Sequence, residues 1–169
     1  MRDIEFVNLS TRQTPREVLE EDFPRLAPIF ISGGWGYDKP SACVILNPNR
    51  GAKSIFGFDF VGIEYMFAEY RLYEELIVFK PEDQRYAGIE FELSSQHSIL
   101  IDERRYDVLK FKVNAFRDED FEHLKAAYEG PCGAQSPKFD HEAHSALHNS
   151  LLCSAEREYW FDVTDVWKG

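Results

Sequence analysis

A chain of 169 residues with 44% hydrophobic and 15% aromatic content has the size and apolar surface for one core, which excludes global disorder and predicts a single globular domain over residues 1–169. Thirty acidic against 19 basic side chains leave a net charge of −11, a field that repels phosphate backbones and anionic lipid and so argues against nucleic acid or membrane as partner. The imbalance is uneven: residues 1–56 carry seven charges of each sign, residues 57–113 carry 12 acids and seven bases, and residues 114–169 carry 11 and five.

Thr14-Pro15-Arg16-Glu17 is a capping box with proline at the first helical position, so a short helix is predicted to start there and to end before Pro24. Residues 28–32 and 41–46 read as two strands joined by GGWGYDKP, whose Gly33, Gly34 and Gly36 supply the positive φ a turn requires. The glycines do not make a phosphate loop, because no Lys-Ser/Thr pair and no helix follow them. Trp35 and Tyr37 at the tip either fold back as a lid on the core or stand out as contact anchors. Residues 47–57, with Pro48, Arg50 and Lys53, read as a loop.

The run from Val61 to Phe79 is the segment around which the other elements are expected to pack. Ile63, Met66, Phe67, Tyr70, Tyr73 and Ile77 form one helical stripe, taken as the core face, and Glu64, Ala68, Arg71 and Glu75 form the opposite one. A helix is predicted over 62–75, followed by a short strand through LIVFK that Pro81 stops. Beyond a turn at Pro81, strand segments are expected around Tyr86, Ile89, Phe91, Leu93, Ile99 and Ile101. The clearest strand of the chain is 106–113, paired antiparallel across a turn at 102–105.

Asp118, Glu119 and Asp120 sit where the first turn of a helix has free N–H groups, and that helix stops at Gly130-Pro131. A further helix over 140–155 and a closing strand over 158–164 complete the layout. The predicted fold class is α+β, a mainly antiparallel sheet of about five or six strands packed against about four helices.

Chemistry-bearing motifs are sparse. Cys43, Cys132 and Cys153 are odd in number and lack C-x-x-C spacing, which argues for reduced thiols and a cytoplasmic setting. No apolar run approaches the ~18 residues of a membrane span, and no leader is expected. His141, His144 and His148 share one helical stripe within about 60°, but the outer two lie about 10 Å apart, so one zinc ion cannot take all three. His144 and His148 could form an i, i+4 pair that needs a third ligand, with His97 and His123 as candidates. HEAH is not the HExxH of a zinc protease, and no hydrolase, kinase or dinucleotide fingerprint is present, so no cofactor is expected.

In size, acidity, abundance of Tyr and Trp, α+β element order and absence of catalytic motifs, the chain resembles the small acidic immunity proteins with which bacteria neutralise toxic nucleases. The resemblance is one of composition and layout and transfers no family residues. It implies a non-enzymatic, protein-binding inhibitor, monomer or homodimer, that docks on a basic partner with carboxylates around aromatic anchors. Trp35, Tyr37, Glu74, Glu75, Glu158 and Tyr159 are the expected contact residues. The competing expectation is a small-molecule-binding or metal-dependent enzyme built on His144 and His148.

Overall fold

Two long alternating runs set the sheet. Strands β4 (Tyr86–Ile101) and β5 (Arg104–Arg117) form a hairpin closed by Asp102 and Glu103, both in the left-handed region at φ 48° and 64°, the conformation a two-residue antiparallel turn demands. The computed structural model describes residues 1–48 and 59–167, so most of the loop expected over 47–57, with Arg50 and Lys53, lies outside the described residues.

The remaining strands are β1 (Arg2–Asp3), β2 (Ile31–Gly33), β3 (Cys43–Ile45) and β6 (Cys153–Asp162). The order is β2-β3-β6-β5-β4, and β1 also pairs with β6, giving a six-stranded, mostly antiparallel, open sheet. With the helices α1 (Pro15–Asp22), α2 (Phe60–Tyr73), α3 (Asp118–Glu129) and α4 (His141–Leu151), the fold is α+β. No helix among the described residues is long and apolar enough to cross a membrane.

The capping box forms as expected: the Glu17 amide donates to Thr14 Oγ1 and the Thr14 amide donates to Glu17 Oε2. The predicted hairpin of β2 and β3 also forms, in the register Ile31↔Ile45. Three boundaries differ. The helix expected over 140–155 ends at Leu151, and β6 begins at Cys153, well before the expected 158. Cross-strand pairing of Ala155, Glu156 and Arg157 with Val113, Lys112 and Phe111 overrides their helical propensity. The strand expected after Glu75 is instead a π-helical turn, Glu74–Val78, that prolongs α2.

The largest correction concerns which side of α2 faces inward. Glu64, Ala68, Arg71 and Glu75, the stripe read as outward, are all fully buried. Of the stripe read as the core face, only Phe67 is fully buried. The apolar content of α2 is high on every side, with Ala68, Leu72 and Leu76 completing the inner face, so helical periodicity is too shallow to orient it. Charged groups on the sheet decide the matter instead.

One sheet face carries Leu109, Phe111, Val113, Tyr159 and Phe161 and packs against α1 and α2 with Leu19, Phe67, Leu72 and Leu76. The other face is covered at one end by α3 and α4, where Phe116 meets Phe121 and His148. Elsewhere it presents Glu90, Glu92 and Lys112 to solvent.

Candidate functional site

Between α2 and the sheet lies a chain of charged and aromatic groups that an apolar core would not contain. At its centre Arg157 of β6 grips Glu75 with two nitrogens, Nε to Oε2 at 3.1 Å and Nη2 to Oε1 at 2.9 Å. The Tyr159 hydroxyl donates to the same Oε2 at 2.9 Å, so Glu75 accepts from three donors. Arg157 also donates to Asn8 Oδ1 at 2.7 Å and lies over the rings of Phe6 and Tyr37. Burial lowers the acidity of the Tyr37 phenol, with Glu75 adding to it, and the Tyr159 phenol is shifted the same way, again mainly by burial.

A π-turn carries the two glutamates. Its wide i→i+5 bond runs from the Phe79 amide to Glu74 O at 2.9 Å, and Glu74 and Glu75 are both fully buried, as are the consecutive pairs Phe67-Ala68 and Arg71-Leu72 on the regular helix before it. Glu74 faces Arg71 one turn back, 3.5 Å from its Nη1. Arg71 is fully buried, with its guanidinium over Trp35 at 4.5 Å and over Phe67 at 4.8 Å from the ring centroids. Burial raises Glu74 to about 8 against the pull of Arg71, and the carboxylates of Asp22 and Glu75 push the same way as burial.

Glu64, nearer the start of α2, has neither oxygen hydrogen-bonded and no exposed surface. Burial first and then the buried Asp107 of β5 raise it to about 9, well above the ordinary carboxylate range. Buried in the same neighbourhood, the Cys43 thiol is pushed up to about 12, mainly by burial, and remains a protonated, unreactive thiol.

The Gly-rich turn completes the site. Gly36, at φ +84°, accepts from the Trp160 amide at 2.7 Å and so lies along β6 between the points where β1 and β3 pair with that strand. Trp35 and Tyr37 therefore fold back, half-buried, and cover the two arginines.

Five of the six residues expected to contact a partner are thus brought into one cluster: Trp35, Tyr37, Glu74, Glu75 and Tyr159. Their setting is the correction. Glu74, Glu75 and Tyr159 have no exposed surface and are engaged with Arg71 and Arg157, so they face the interior. Glu158 alone stands on the opposite, open face, where it accepts from Trp160 Nε1 at 2.8 Å. Arg71, Arg157, Glu64 and Asp107 were not expected at a site; for Glu64 and Arg71 the signal available was five charged residues set in an otherwise apolar helical run, whereas Asp107 and Arg157 lie on β5 and β6.

The histidines lie elsewhere. His144 packs against Tyr128 and Phe139, and His148 against Phe116 with ring centroids 4.8 Å apart. Among the described residues no group of three or more His, Cys, Asp or Glu side chains is placed to hold a metal ion.

On the outer surface, a groove of about 190 Å³ runs between the 3-10 turn Glu82–Gln84 and the start of α3. Glu82, Asp83, Asp118, Glu119 and Glu122 line it around a single Arg117, and all five carboxylates are exposed. Cross-strand register sets Glu92, Lys112 and Glu156 in a row on the open sheet face, with Lys110 opposite Glu158. Compared with models of protein families, with curated protein sequences and with solved structures, the chain matches none.

Proposed function

We propose that the chain is a non-catalytic binding protein whose acidic surface docks on a basic protein, as an inhibitor or immunity protein of a cationic enzyme such as a nuclease toxin would. The observation that carries this reading is the groove between residues 82–84 and α3, where five exposed carboxylates surround one arginine. Lysine and arginine side chains of a partner would find several charge-assisted acceptors there, and the excess of acids over the last two-thirds of the chain would speed the encounter. The open face that carries Glu90, Glu92, Glu156 and Glu158 extends the acidic field, with Trp160 beside Glu158 as an aromatic contact. The interior charges favour the same reading, since Glu75, the best-placed carboxylate for chemistry, already accepts from three donors.

Calorimetric titration of the protein with the product of the gene beside its own, at low and at high salt, tests the proposal. Affinity is expected to fall about tenfold or more as salt rises, and to fall by at least as much on replacing Glu119→Lys together with Glu122→Lys. A complex indifferent to both changes overturns it.

A further inference from the structure

Strand β4 is the outermost of the sheet among the described residues, with β5 on one side only. A free strand edge is a template for another chain, and proteins blunt such edges with charge, bulges or cover. β4 carries these devices in its first half alone. Glu90 and Glu92 supply the charge, register shifts between Ala87 and Glu90 and between Leu93 and Ser95 break the ladder, and Phe121 of α3 lies against Gly88.

From Ser95 to Ile101 the pairing with β5 runs without another shift. Residues 94–101, SSQHSILI, contain no Asp, Glu, Lys or Arg, in a chain where those four make up 29%. Residues 96–100 are exposed in succession, so neither sheet face is covered there, and Leu100 is 62% exposed.

We propose that this half of β4 pairs antiparallel with the same half of a second copy of the chain, joining two sheets across a two-fold axis. Such a contact must be self-complementary, and on a chain of charge −11 a charge-free half-strand is a surface that two copies can share with no like charges inside the paired stretch. A strand bearing basic side chains would instead be drawn to Glu90 and Glu92, where the bulges deny it a regular ladder. In the antiparallel arrangement the uncharged end at residues 94–97 of one copy lies across from Ile99 and Leu100 of the other, and Glu90 and Glu92 stay outside the paired stretch. Asp102 and Glu103 approach Glu92 of the second copy, so added salt tightens this contact, whereas it weakens the docking of a basic partner. The inference is independent of the proposed function.

Sedimentation equilibrium of the full chain from micromolar to sub-millimolar concentration tests it. The mass is expected to rise from 19.7 kDa to twice that value, more steeply at high salt. Replacing Gln96→Lys together with Ser98→Lys sets like charges across the axis and is expected to raise the dissociation constant about tenfold or more. Amide exchange on the unaltered chain gives a reading that does not depend on the variant's folding: amides of 94–101 slow as concentration rises. A mass of 19.7 kDa throughout, a dimer that the two lysines leave intact, or exchange that slows only elsewhere each overturns the proposal.

Discussion

Arg157 and Glu75, 82 residues apart, meet through two hydrogen bonds in a space closed by Tyr159 below and Tyr37 beside them. Glu75 is held wholly away from water and Arg157 largely so, with 14% of its side chain exposed, so each depends on the other to offset its desolvation. Arg157→Met is predicted to cost about 3–5 kcal/mol, because it strands a buried carboxylate, and Glu75→Leu about as much, because it strands the guanidinium. The double variant Glu75→Leu/Arg157→Met is predicted to recover part of that loss. A urea-denaturation cycle over the four proteins measures the coupling, and losses that simply add would show that the pair is not coupled.

Glu64 and Glu74 predict an unusual response to alkali. Burial raises Glu64 to about 9 and Glu74 to about 8, so between the ordinary carboxylate range and those values the folded chain holds protons that the unfolded chain has lost. Their contribution to stability is therefore present in full below the ordinary carboxylate value and is lost as pH climbs through the folded values. The urea midpoint is predicted to fall from about pH 6 to about pH 9, and Glu64→Gln, which keeps a neutral group at that position, is predicted to flatten the fall. An unchanged profile in that variant would assign the proton uptake to other groups.

How far the sequence could be read follows from where each element draws its order. The capping box at Thr14, the hairpin of β2 and β3 and the alternation at 106–113 depend on neighbours close in the chain, and all three form. The orientation of α2 depends on Arg157 and Asp107, which lie far along the chain, and nothing in a helical stripe encodes them. For the same reason Glu74 and Glu75 look like a surface pair: two adjacent carboxylates read as solvent-facing until Arg71 and Arg157 are placed beside them. The cluster of Trp35, Tyr37, Glu74, Glu75 and Tyr159 was legible as a set of aromatic and acidic residues. Its burial was not, because burial of a charge is decided by the partner that neutralises it.

Gly36 gives the last prediction, since it is the hinge on which Trp35 and Tyr37 reach the two arginines. Its backbone sits at φ +84°, its amide donates to Ser41 O and its carbonyl accepts from the Trp160 amide, both at 2.7 Å. A Cβ at this position would lie 3.4 Å from both the Phe67 ring and the Trp160 carbonyl, an ordinary contact, so the penalty falls on the backbone conformation that L-residues avoid. Gly36→Ala is predicted to cost about 1–2 kcal/mol from the left-handed backbone alone. The strained turn should then lift from β6 and loosen Trp35 from Arg71, shifting tryptophan emission to longer wavelength as the ring meets water. Wild-type stability with an unshifted emission in this variant would mean that the turn is fixed by some contact other than the Gly36 backbone.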